Sequence, residues 1–397
     1  MFAACWTRLR IRSTALLALA LLALAGPSGC GGGIGEGGTG SFASGPISGF
    51  GSVIVNDIVF DDSVAAVEDG EGELRRNTDL RLGMTVEIEG DALQAGAGTS
   101  SARASRIRFD SALLGPVEAL DNAGGSFTVL GQRVAVDETT VFEAALAGRL
   151  AALRVGDVVE VYAAFDAGAS RYRATRVERR AAALAYRVRG VVAQLDPATQ
   201  TLRIGSAYFA YGAARAVPAG LAAGQFVRLT LLTQAGPLGR WAVLSFGAPL
   251  QLIAERDGVV LKGLISRFVS IANFDVDGRA VDASAAQVVG STAALALGVR
   301  VQASGALRAG VLKAGAVTIR SDEIERERGF ELRGAIESVN PAQGSFVLRG
   351  LTISTLRPGL EYRDGSAAQI AVGRRVEVKG VLAGNGAGIE ATRITFE

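Results

Sequence analysis

The sequence predicts an all-β chain of five tandem small antiparallel β-barrel-like domains, OB-like or SH3-like, behind a signal peptide and a Gly-rich tether. Three observations predict it. Variants of one eleven-residue stretch recur five times, the segments around them alternate apolar and polar residues, and an apolar leader ending in a cysteine precedes them all.

The leader occupies residues 1–29. Arg8, Arg10 and Arg12 form its charged start, and residues 15–25 are an eleven-residue apolar run. That run is too short to span a bilayer of about 30 Å, which takes around 20 helical residues. Small residues follow and end at Cys30. The "SGC" at 28–30 resembles a bacterial lipoprotein signal, which is cut before the cysteine and acylated on its thiol; Pro27 stands where an aliphatic residue is usual. The resemblance implies lipidation at Cys30, and Gly31 after it implies the outer membrane. An ordinary signal peptide cut nearby, with Cys30 incidental, is the alternative. Each buried methylene contributes about 0.8 kcal/mol, so several acyl chains on one residue hold a protein at a membrane without a spanning helix. Residues 30–45 are expected to be the lipidated cysteine and a flexible linker, because Gly-rich chain buries too little surface to fold.

The repeat follows. "LRLGMTVEIEG" (80–90) returns as "LRVGDVVEVYA" (153–163), "LAAGQFVRLTL" (221–231), "LALGVRVQASG" (295–305) and "IAVGRRVEVKG" (370–380). The motif glycines Gly83, Gly156, Gly224, Gly298 and Gly373 lie 73, 68, 74 and 75 residues apart, the size of a small domain. Each motif has a related opening upstream, such as "GAIESVNPAQGSFVLRGLTIS" (334–354), and a related ending downstream, such as "IEATRITF" (389–396). The expected β domains are 46–110, 111–182, 183–250, 258–322 and 329–397.

Alternation makes these segments strands. In "TVEIEG" Val86 and Ile88 face one side, Glu87 and Glu89 the other. "RVEVKG" repeats the pattern with Glu377 and Lys379 outward. The leading glycine suits a turn conformation that a residue with Cβ resists. A final glycine, as at Gly90, Gly305 and Gly380, suits a bulge where the sheet curls. In the last copy five short strands are expected, with an irregular or briefly helical stretch at 358–370. A two-sheet sandwich assembled from neighbouring copies is the second architecture considered. A unit this small buries little core, so neighbours are expected to pack together.

"ASGPISGFGSVIVNDIVFDD" (43–62), "LRLGMTVEIEG" and "GPVEALD…GSFTVLGQRVAVDETTVF" together resemble the DUF5666-domain proteins. These are bacterial envelope proteins with tandem all-β domains and no assigned activity. The resemblance implies the fold class and an envelope location, and it brings no catalytic residues.

Composition narrows the chemistry. The chain has 397 residues, 49% of them hydrophobic, enough for real cores. Removing the three leader arginines leaves 38 basic against 39 acidic side chains, a balance that argues against coating nucleic acid or anionic lipid. There is no histidine, and the two cysteines, Cys5 and Cys30, are N-terminal. The commonest general base, the commonest zinc ligand and any Cys cage in the body are thereby excluded. No cofactor, metal or catalytic residue is expected.

"NFDVDGRAVD" places Asp275, Asp277 and Asp282 around a glycine, but the further oxygen ligands and distal Glu of a calcium loop are missing. Asp277-Gly278 is better explained as a type I′ hairpin turn. Asp61 and Asp62 are likewise assigned to a strand-end turn. Glu87, Glu89, Glu160 and Glu377 are read as solvated strand faces. The basic patch "RYRATRVERR" (171–180) contains Tyr172 and suggests stacking over a basic groove. A solvated face with Arg171 and Arg173 side by side is preferred, and no nucleic-acid partner is expected. "ERERG" (325–329) is read as a polar linker. The function expected is a membrane-anchored envelope scaffold or binding protein whose partner is an envelope protein or glycan. Its rival is a carboxylate-dependent polysaccharide-processing enzyme, recognisable by an inter-repeat cleft that gathers acids on apolar walls.

Overall fold

The alternating segments of the last copy pair as a closed ring. Its first strand bends at Ile336 and runs as Phe330–Ala335 and Ser338–Asn340; the second and third are Ser345–Leu348 and Leu351–Ser354. Arg375–Leu382 is the fourth and Ile389–Phe396 the fifth. The first strand pairs antiparallel with both the second and the fourth, the second with the third, and the fourth with the fifth. Residues 353–354 and 389–390 then close the ring as parallel partners. The order first–second–third–fifth–fourth–first is that of a five-stranded, OB-like Greek-key barrel.

This is a computed structural model describing residues 40–96, 99–247 and 255–397. The expected signal peptide, Cys30 and residues 31–39 of the expected tether lie outside the described residues. The same closed order of pairing recurs in the four earlier copies. The fold is all-β. It departs from the expected antiparallel pairing along the fifth strand, which the third strand meets in parallel in every ring. A short strand of the third-to-fourth connection also meets it in parallel in copies 1, 2, 4 and 5. There the connection between third and fourth strands carries the chain across the ring, so the fifth strand returns beside the third in the same direction.

Two recurring details hold each ring. Gly83, Gly156, Gly224, Gly298 and Gly373 all have φ between 78° and 93°, the left-handed region that Cβ disfavours. Each glycine N–H donates at 2.8–2.9 Å to a carbonyl at the bend of the first strand: Ile47, Val117, Val192, Ile265 and Ile336. Each of those five residues returns an N–H to the carbonyl just after the glycine, and its own side chain is fully buried. The second detail is a bulge in the fourth strand. The register shifts at Gly90, Gly305 and Gly380, where a Cβ would stand 2.4, 2.1 and 2.5 Å from a carbonyl oxygen of the fifth strand. In three copies a hydroxyl satisfies the bulge: Ser105, Thr175 and Thr392 donate at 3.1 Å to the carbonyls of Glu89, Tyr162 and Lys379.

The rings do not keep separate cores. Buried residues of copies 1 and 5 form one cluster with Val141 and Tyr162 of copy 2 and Val260 of copy 4, most of those of copies 2 and 3 another, and copy 4 a third that takes in Phe42. Strand pairing follows the same grouping. Residues 41–44 pair in parallel with 258–261 of copy 4, 49–50 with 331–332 of copy 5, and 113–114 antiparallel with 187–188 of copy 3.

Two sequence readings need correction here. The tether was expected to reach residue 45, but Ser41–Phe50 is a strand, and residues 41–45 are buried. Residues 41–44 lie between two strands, 87–90 and 258–261, so their backbone groups are satisfied on both sides and Phe42 packs into copy 4. The small residues that made this stretch look like linker are what lets two barrels approach it. "ERERG" is not a linker either. Residues 325–328 belong to the helix α1 (Asp322–Arg328), whose N-cap Ser321 accepts from the Ile324 N–H at 3.2 Å. Asp322, Glu323 and Glu325 suit its positive N-terminal end.

Candidate functional site

A cleft of about 1040 Å³ opens where copies 1, 2 and 5 and the start of copy 3 face one another. Its apolar lining includes Phe50, Leu80, Leu82, Phe109, Phe142 and Leu351. Its polar lining includes Glu71, Asp110, Glu160, Glu178 and Arg187. By residue type this is the cleft that a carboxylate enzyme would require, so the partners of its acids decide what it can do.

Those acids belong to a chain of alternating charge. Arg176 Nε meets Glu178 Oε1 at 2.5 Å, and Glu178 Oε2 meets Arg180 at 2.5 Å. Arg180 also holds Glu160, whose other oxygen meets Arg187 at 2.8 Å. Arg187 continues to Glu71 at 2.5 Å, Glu71 to Arg228 at 3.0 Å, and Arg228 to Asp110 at 3.1 Å. Arg189 ends the chain, 3.6 Å from Asp110. The nine residues come from copies 1, 2 and 3, and Arg176 also donates to the Leu82 carbonyl of copy 1 at 3.1 Å.

The strands fix this alternation. Glu160 and Glu178 are direct cross-strand partners, an arrangement that like charges disfavour. Arg180 contacts both and removes the repulsion. Burial works against the charge on Arg180, yet Glu160 and Glu178 outweigh it and hold its pKa above the ordinary value. Burial pushes the Asp110 carboxyl up against the pull of Arg189 and Arg228. The Tyr162 hydroxyl, buried without a hydrogen-bond partner, is raised by burial and then by Glu160 and Glu178. Glu160 and Glu178 each contact two arginines, and so does Glu71. A general base needs a carboxylate lone pair directed at substrate, and a nucleophile needs an unshielded oxygen. Here those oxygens are spent on guanidinium groups.

The residues singled out from sequence are dispersed. Asp277 and Gly278 have φ of 46° and 81°, the type I′ turn expected of them. Asp275 pairs with Arg267 at 2.7 Å and Asp282 with Lys313 at 2.9 Å, so the three aspartates do not converge. Asp61 accepts the Ser63 N–H at 3.1 Å, and Asp62 accepts from Asn77 at 3.2 Å. Among the described residues no group of three or more His, Cys, Asp or Glu side chains could hold a metal ion. Tyr172 is buried in the core of copies 2 and 3, where its hydroxyl donates to the Arg189 carbonyl, so it offers no stacking platform. Arg173 pairs with Asp322 at 2.8 Å, and Arg176 is buried. The basic patch is therefore an inter-copy contact in part, not the solvated face expected.

Glu160 also needs correction. Read as a solvated strand face, it is 6% exposed, because copies 1 and 3 cover that face of copy 2 with Glu71 and Arg187. Glu87, Glu89 and Glu377 remain half-buried surface positions. The sequence reading missed Glu71, Arg187, Arg189 and Arg228. "YRVRG" (186–190) does carry a signal, two arginines on one strand face, but "DGEGE" (69–73) looks like any acidic turn.

Comparison with known proteins gives two local matches to one family model and little else. The family model described as "Domain of unknown function (DUF5666)" matches residues 115–178 and 333–395, within copies 2 and 5. No curated protein matches the chain. Among solved structures, the chain titled "drosophila Unr CSD456" is 15% identical, covering 58% of this chain and 100% of that chain, at a TM-score of 0.14. That superposition is too loose to bear on the fold. Among the described residues no helix is long and apolar enough to cross a membrane.

Proposed function

We propose that this chain, which carries two DUF5666 domains, is an exported lipoprotein anchored through Cys30 that serves the cell envelope as a rigid, non-catalytic scaffold or binding protein. In this reading 46–110, 111–182, 183–250, 258–322 and 329–397 are its five domains, the first extended back to Ser41. The observation that carries the proposal is the alternating ion-pair chain. It fastens copies 1, 2 and 3 together and occupies the carboxylates that a hydrolase would need free. Buried ion pairs are a poor route to raw stability but a good one to a single geometry, as a display platform requires. The leader supports export and the "SGC" site supports an outer-membrane anchor. The partner is an envelope protein or glycan, met by several copies at once so that weak contacts add up.

Cell fractionation with mass analysis of the N-terminal peptide tests the anchor. Wild type is expected in the membrane fraction with acyl mass on Cys30, and Cys30→Ser in the soluble fraction. Wild type that is soluble and without acyl mass overturns the proposal.

A further inference from the structure

A second cavity of about 510 Å³ lies where copies 1, 2, 4 and 5 and α1 meet. Pro46, Ile47, Phe330, Val381 and Leu382 supply its apolar lining. Lys262, Arg300 and Glu325 also line it. The volume suits a small molecule, and the lining sets those apolar side chains beside further charged ones, Glu138, Arg149, Arg326, Arg357 and Glu390.

Two of the polar groups are left short of partners. Lys262, with its side chain 10% exposed, pairs with Glu325 Oε2 at 2.5 Å. Glu325 Oε1 is buried with no donor. Arg300 is the unbalanced cation. Its side chain is 12% exposed, and among the described residues its one carboxylate contact is Asp322 at 3.7 Å. Asp322 is already held by Arg173 at 2.8 Å, and Arg300 Nε is buried without a partner. A buried guanidinium whose fork is unfilled is strongly unfavourable, and a planar carboxylate fills that fork with two parallel hydrogen bonds.

We propose that this cavity binds a small organic carboxylate, its acid group on Arg300 and its hydrocarbon body against Phe330, Val381 and Leu382. Lys262 is neutralised by Glu325, so Arg300 carries the acid-binding end. The apolar lining selects against a bare anion, which would leave it wet, and Arg300 selects against a neutral ligand. The proposal deepens the binding half of the reading above. It fails separately from the anchor, which is read from the N-terminal peptide.

Isothermal titration of the purified protein with hexanoate, hexanol and inorganic phosphate tests it. Hexanoate is expected to bind saturably at one site, at least tenfold tighter than either other probe. Arg300→Met is expected to weaken hexanoate at least tenfold while its thermal melt stays cooperative. Ala383→Trp, which fills the cavity from its wall and leaves Arg300 in place, guards against misfolding of the first variant and is expected to lose binding equally. Absence of saturable hexanoate binding, phosphate binding as tight as hexanoate, or unchanged binding in both variants would overturn the proposal.

Discussion

Asp277 shows how far one residue's role can be read from its neighbours in sequence. An aspartate before a glycine in a short loop between strands announces a turn, and the positive φ of both residues bears that out. What the local sequence lacks is the side chain's destination. It folds back over Gly263, where a Cβ would stand 1.9 Å from Asp277 Oδ2, and it accepts the Leu264 N–H at 3.3 Å. Burial pushes the carboxyl up to about 6, against that hydrogen bond and the charge of Arg279. The folded value lies above the ordinary 3.8, so the protonated acid favours the fold. Its contribution is complete below about pH 4 and is lost as pH rises through 6. Asp277→Asn keeps a residue that tolerates positive φ and removes the ionisation. Relative to wild type, its urea-unfolding free energy is expected to be unchanged at pH 4 and higher by about 2 kcal/mol at pH 7. An equal difference at both pH values would show that the carboxyl does not titrate in this window.

At the scale of elements, alternation located the strands because period 2 is a property of the backbone itself. The five motif glycines and the bulge glycines were legible for a similar reason: positive φ and close carbonyl approach leave few other residues possible. The polar face of a strand, however, looks the same whether water or another barrel covers it. "VVEVYA" and "RVEVKG" differ little, yet Glu160 is buried under Arg180 and Arg187, whereas Glu377 pairs with Arg333 at 2.9 Å near the surface. Glu160→Gln leaves half-exposed Arg180 and mostly buried Arg187 with one carboxylate each, Glu178 and Glu71, and is expected to cost about 2 kcal/mol. Glu377→Gln is expected to cost less than about 1 kcal/mol. Chemical denaturation of the two variants side by side checks this, and similar losses would mean that the alternating chain is not a structural fastening. The helix α1 escaped detection because seven charged-rich residues carry no apolar period. Its place is fixed instead by contacts far off in sequence, Glu325 to Lys262 and Asp322 to Arg173.

For the whole molecule, a period near 70 residues gave no sign of which copies would share a core. Sequence neighbours were the natural expectation, and copies 2 and 3 meet it. Copies 1 and 5, the first and last, merge instead, through parallel pairing of 49–50 with 331–332 and a common set of buried residues including Ile47, Phe60, Phe346 and Ile394. A single ring of this size hides too little apolar surface to stand alone, so each must lean on another. Which one it chooses depends on exposed faces that no local pattern encodes. The same closure brings Lys262, Arg300 and Glu325, from copy 4 and α1, against Ile47 of copy 1 and Phe330 of copy 5, residues far apart along the chain. The candidate sites are thus products of packing between copies. Hydrogen exchange on a chain lacking residues 330–397 tests this closure most directly. The strands of copy 1 (41–109) are predicted to lose their protection while copies 2 and 3 (111–247) keep theirs; full protection of copy 1 in that shortened chain would contradict it.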